Sequence, residues 1–123
     1  MTDSEAEFQA KVVELARRFN WRTWHVGDSR RVTRGHMIVP DRGIAGFPDL
    51  VLAHSTRGLV FAELKRDAKA RVRPAQAEAL DVLAASALLC RGKVRVHLWR
   101  PDDMVGVIVP VLRDGRGPVV YGF

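Results

Sequence analysis

Within "GFPDLVLAHSTRGLVFAELKRD", residues 46–67, Asp49, Glu63 and Lys65 interrupt two otherwise apolar runs. Side chains alternate along a strand, so in "LVFAELK" the residues Leu59, Phe61, Glu63 and Lys65 share one face and Val60, Ala62 and Leu64 the other. If the two runs form a hairpin, the length of the loop decides where Asp49 points. A loop of Ser55, Thr56 and Arg57 sets Asp49 opposite Glu63 on the same face. A two-residue turn at Thr56 and Arg57 turns Asp49 to the other face.

Two carboxylates held close repel each other and call for a compensating charge, which a hard divalent cation with oxygen ligands supplies; Mg²⁺ or Mn²⁺ fits. Such an ion polarises a phosphodiester and lowers the pKa of a bound water, and Lys65 beside it can position that water or stabilise negative charge. The plainer alternative is a pair of salt bridges at solvated strand ends, Glu63 with Lys65 or Asp49 with Arg66.

The elements around these residues follow from periodicity. Phe8, Val12, Leu15, Ala16 and Phe19 recur at helical spacing over residues 3–20, with Asp3 or Ser4 as the cap. At about 100° per residue, Glu5 falls roughly 40° from the centre of that apolar stripe and Glu7 roughly 120° away, so Glu5 is expected to face the sheet. It also suits the helix dipole as an ordinary first-turn acid.

"WRTWHV", residues 21–26, has strand character, and Gly27 to Gly46 reads as a long loop with a short apolar island at Met37 to Val39 that leaves room for a brief extra strand. Gly58 suits a turn that needs positive φ. Pro74 opens a second helix, "PAQAEALDVLAASALL", with Leu80, Leu83, Ala87 and Leu88 on its apolar face and Gln76 aligned with them. "KVRVHLW" alternates as a strand exposed on one face, and the tail, with Gly106, Pro110 and many Val, has no clear assignment. The order helix, strand, strand, strand, helix, strand (αβββαβ) implies an α/β sandwich, a mixed sheet of about four strands with helices packed against it.

At 123 residues the chain is expected to be one domain, 1–123, with no run of apolar residues long enough for a membrane span. The opening "MTDSEAEF" lacks the pattern of a secretory signal, and the single Cys90, read as a small core residue, allows no internal disulfide; a cytoplasmic location is expected. Lys and Arg exceed Asp and Glu by 20 − 14 = 6, which suits a polyanionic partner. His25, His36, His54 and His97 have no short metal-ligand spacing, and Trp21, Trp24 and Trp99 read as core or sheet-edge aromatics.

The ordered set "GFPDLVL", a spacer, "FAELK", a short basic loop and "RPAQAEALDVL" resembles the VRR-NUC branch of the PD-(D/E)XK nucleases. "SEAEFQAKVVELARRFNWRTWHV", "DSRR" and "VHLWRPDD" are similar to its small phage and bacterial members, extending the likeness over roughly residues 4–104. The resemblance implies a restriction-endonuclease-like core, with Asp49 and Glu63 as metal ligands, Glu5 as a further acid of the metal site, Lys65 as catalytic lysine and Gln76 as supporting residue. It also implies a homodimer acting on branched DNA such as four-way junctions, inside a bacterial cell or a phage-infected host. Asn20 departs from the family, whose members commonly carry glycine there, and the tail from Val105 to Phe123 does not match the family's short terminal helix.

The expectation is therefore a Mg²⁺- or Mn²⁺-dependent DNA endonuclease. Arg30, Arg31, Arg34 and Arg42, with Lys69, Arg71 and Arg73, are its candidate phosphate contacts. The rival readings are a non-catalytic basic nucleic-acid-binding module with the same fold, and a restriction-type duplex endonuclease.

Overall fold

Ser4 caps the first helix, α1 (Glu5–Arg18), its Oγ accepting the backbone N–H of Glu7, a donor the helix cannot satisfy internally. The computed structural model describes residues 4–26, 31–33, 36–38 and 46–123, the two short middle ranges by backbone alone. Phe8, Val12 and Ala16 form the buried stripe of α1, flanked by half-buried Leu15 and Phe19. Asn20, just past the helix, has φ 69°, a left-handed conformation in which Asn is enriched and which glycine adopts freely.

Among the described residues seven strands follow the chain: β1 (Arg22–His25), β2 (Arg31–Thr33), β3 (His36–Ile38), β4 (Leu50–His54), β5 (Gly58–Leu64), β6 (Val94–Trp99) and β7 (Val120–Tyr121). Five of them form one open mixed sheet in the order β1-β4-β5-β6-β7, and β2 and β3 pair as a separate ribbon in the long segment expected to be loop. β4 pairs antiparallel with β1 and with β5, whereas β6 pairs parallel with β5 and with β7. The second helix, α2 (Pro74–Ala87), carries the chain from β5 to its parallel neighbour β6, as a parallel pair requires.

The sheet is covered on both sides. α1 and the later α3 (Val109–Asp114) pack with Leu50, Leu52, Val60, Ala62 and Leu64 on one face. On the other, Leu80, Ala84 and Ala87 of α2 bury Val96 and Leu98 of β6, with half-buried Phe61 against them. The predicted alternation of β5 therefore holds, and its two apolar faces feed two separate cores. No helix among the described residues is long and apolar enough to cross a membrane.

Several expectations need correction. The main sheet has five strands rather than about four, because the tail supplies β7 after a 3₁₀ turn at Pro101–Asp103, a wider turn at Met104–Ile108 and α3. Pro110 is tolerated because it lies in the first turn of α3, where its missing N–H has no intrahelical partner. β6 is buried on both faces, not exposed on one. Its polar face is roofed by the tail: Arg95 donates to the carbonyls of Arg57, Gly115 and Gly117, and His97 pairs with Pro118 O at 2.7 Å. Cys90 and Leu88 are exposed, since α2 ends at Ala87 and both follow the last buried turn.

Candidate active site

The hairpin of β4 and β5 has the odd loop. His54 pairs with Gly58 across Ser55, Thr56 and Arg57, and Leu50 pairs with Ala62, so Asp49 stands opposite Glu63 on the face of Phe61 and α2. Gly58, with φ 93°, allows this turn; a Cβ there would lie 2.1 Å from Lys93 O, at the entry to β6. Gly46 does a similar service on the other side of Asp49. Its φ is 78°, and a Cβ would lie 2.3 Å from Ala75 O, so the chain before Asp49 passes directly against the first turn of α2.

That close approach brings four side chains together. Asp49 Oδ2 accepts the backbone N–H of Leu64 at 2.9 Å, while the backbone N–H of Asp49 donates to Glu63 Oε1 at 3.2 Å. Gln76 Nε2 donates to Glu63 Oε2 at 2.7 Å, and Gln76 Oε1 accepts from Lys65 Nζ at 2.9 Å. Lys65 Nζ also lies 3.3 Å from Glu63 Oε2. Gln76 Oε1 further accepts the backbone N–H of Arg73 at 3.0 Å, so Gln76 both caps α2 and joins the charged pair.

Glu63 is 1% exposed and Lys65 9%. Burial, followed by the adjacent negative charge of Asp49, pushes the Glu63 carboxyl up from 4.5 to about 7; Lys65 pulls in the opposite direction without cancelling the effect. The Glu63–Lys65 ion pair weighed against a catalytic reading is therefore present, but in a buried setting, and Arg66 pairs with Asp67 at 3.5 Å rather than with Asp49.

Glu5 is not brought into this cluster. It is exposed, and α1 packs on the face of the sheet opposite to Glu63. Among the described residues no group of three or more His, Cys, Asp or Glu side chains is placed to hold a metal, so the expected third acid is absent from the site. Helix phase gave the direction of Glu5 around its axis, but not which layer α1 occupies, nor that its first turn lies beyond the buried stripe that begins at Phe8.

Of the candidate phosphate contacts, Lys69, Arg71 and Arg73 are exposed on the segment between Lys65 and α2. Arg31 begins β2, and Arg30, Arg34 and Arg42 lie outside the described residues. Sequence reasoning overlooked Arg100, whose half-buried guanidinium donates to Asp67 O at 3.1 Å and Ala70 O at 3.3 Å in that basic segment. Its signal was slight, a single Arg following the last residue of β6.

Chemically, the arrangement offers two carboxylates, that of Glu63 raised well above its ordinary range, an ammonium with two of its three donor positions engaged by Gln76 and Glu63, and a mount that holds all three. No family model, no curated protein and no solved structure matches the chain.

Proposed function

We propose that the protein is a divalent-metal-dependent DNA endonuclease, with branched DNA such as a four-way junction as the preferred substrate. The carrying observation is the opposed pair of half-buried Asp49 and buried Glu63, with Lys65 and Gln76 fixed beside it. Burial first, and then the adjacent charge of Asp49, pushes the Glu63 carboxyl up to about 7, and a hard cation with oxygen ligands is the chemical complement of such a pair of carboxylates. Asp49 and Glu63 would hold it, and when bound it would polarise the phosphodiester and acidify a water.

The remaining work falls to this chain's own groups. The third donor of the Lys65 ammonium is available to orient the attacking water or to stabilise charge on a phosphoryl oxygen. Water oxygen bonds to phosphorus as one ester P–O bond breaks, giving a phosphate monoester and a hydroxyl. Gln76 holds Lys65 and Glu63 in register, so neither needs to reorganise during the reaction. The exposed Lys69, Arg71 and Arg73 are suited to neutralise backbone phosphates nearby.

One observation favours a second reading. Both oxygens of Glu63 already accept protein hydrogen bonds and Glu5 stands apart, which suits a basic module that binds nucleic acid without cutting it. Cleavage of a labelled four-way junction and of linear duplex, with Mg²⁺ or Mn²⁺, separates the two. Under the endonuclease reading the wild type cuts, and Asp49→Asn and Lys65→Ala lose at least about 100-fold in rate while retaining DNA binding. Binding without cutting by the wild type in either metal would leave the binding module.

A further inference from the structure

The basic segment after Lys65 is short of regular structure yet held at several points. Asp67 Oδ1 accepts the backbone N–H groups of Lys69 and Ala70 at 2.9 and 2.8 Å, closing a turn at the start of the segment. Arg100 reaches the same turn from the end of β6, donating to the carbonyls of Asp67 and Ala70. The backbone N–H of Lys65 bonds to Trp99 O at 2.9 Å, so the strand pairing delivers Arg100 to the place where the segment departs.

Arg100 is itself secured by the tail. Its backbone N–H donates to Asp103 Oδ2 at 2.8 Å, and the other oxygen of the same carboxylate accepts the hydroxyl of Tyr121 on β7. A planar guanidinium with a fixed set of donors is suited to bridging two carbonyls, whereas an ammonium is a single flexible point of attachment.

We infer that Arg100 is a positioning residue for DNA: it clamps the turn at Asp67 and Ala70 so that Lys69, Arg71 and Arg73 are ordered before the phosphates arrive. The inference rests on the endonuclease reading and extends it to how the substrate is gripped. The clamp lowers the ordering cost of binding without itself touching DNA. Removing it weakens affinity but leaves the number of neutralised phosphates, and hence the salt dependence, unchanged.

The test uses full-length wild type, Arg100→Gln and Arg100→Lys, the lysine variant serving if the glutamine variant folds poorly. Amide hydrogen exchange over residues 66–73 is measured without DNA, and affinity for a labelled four-way junction is measured in EDTA across a salt series. Expected for Arg100→Gln are exchange at least about tenfold faster in the segment, a Kd about tenfold weaker and an unchanged salt slope. For Arg100→Lys, about half of the affinity loss on a logarithmic scale is recovered. The kcat at saturating DNA stays within about threefold of wild type, because Lys65 is held separately by Gln76 and Glu63.

A salt slope shallower by about one would make Arg100 a phosphate contact and overturn the clamp. Unchanged exchange in both variants, with wild-type cleavage intact, would remove the clamp alone. A wild type that binds no DNA, with exchange still faster in the variants, would remove the endonuclease reading and the segment's role in DNA binding with it.

Discussion

Gln76 Nε2 lies 2.7 Å from Glu63 Oε2, and through this bond the first turn of α2 is fastened to the buried end of β5. The same amide accepts from Lys65, so a single side chain bridges an anion and a cation that share one face of a strand. Burying such a pair is costly unless its remaining donors and acceptors are satisfied, and Gln76 meets much of that demand.

Gln76→Ala should therefore cost stability as well as activity. Loss of the bonds to Glu63 and Lys65 leaves buried charge under-satisfied, an effect of about 1–3 kcal/mol in chemical denaturation. Cleavage should fall by about tenfold or more, while DNA affinity measured in EDTA stays within about twofold of wild type.

The raised Glu63 pKa sets a direction for metal-free stability. The folded state holds this proton more tightly than the unfolded chain, so the contribution is fully present below pH 4.5 and is lost as pH rises towards about 7. Relative to Glu63→Gln, the wild type should lose on the order of 2–3 kcal/mol across that window. Urea denaturation of both proteins in EDTA at several pH values measures the difference. At pH 7.5, Mg²⁺ or Mn²⁺ should raise the wild-type Tm but not that of Asp49→Asn.

His97 works in the opposite sense. Burial pushes its pKa down; Trp99 Nε1 donates to its Nδ1 at 2.9 Å and its Nε2 pairs with Pro118 O, so the neutral ring uses both nitrogens. Arg95 further disfavours a positive ring and Asp103 favours it. The unfolded chain thus binds this proton more readily, and stability falls as pH drops below 6.5. His97→Gln should flatten that acid limb in a thermal melt series, while lowering stability at pH 8 by about 1–2 kcal/mol through imperfect replacement of its bonds.

Two glycines with positive φ offer a controlled comparison. Gly58→Ala drives a Cβ towards Lys93 O and should cost about 3 kcal/mol or more, because backbone must move. Gly92→Ala, with φ 78° and nothing within 4 Å, should cost only the conformational penalty of about 1–2 kcal/mol. Equal losses would mean that the approach of the hairpin to β6 is not what Gly58 protects.

Where local pattern decides structure, the sequence was informative. Alternation in "LVFAELK" identified the shared face of Glu63 and Lys65, and the odd loop required for Asp49 is the one observed. Pro74 marked the start of α2, and the resemblance singled out Gln76, which helical phase set in line with Leu80 and Leu83. Glu5 was misjudged because periodicity describes rotation about a helix axis and carries no information about the layer in which that helix packs. The two buried faces of β6 were equally hidden: Arg95 and His97 look like solvent-facing residues until carbonyls of distant segments, Arg57 and residues 115–118, are brought over them. Arg100 was missed for the same reason, since its partners are backbone atoms and leave no trace in residue type.

All four side chains of the proposed site fall between residues 49 and 76, within one hairpin and the start of the next helix. Contacts so close along the chain close small loops and can form early, ahead of the pairings that recruit β1 and the tail. The proposed site is thus carried on a nearly self-contained cassette, and the outlying segments serve as its buttress: insertions or exchanges there can change the surface around it while the arrangement of Asp49, Glu63, Lys65 and Gln76 is inherited intact.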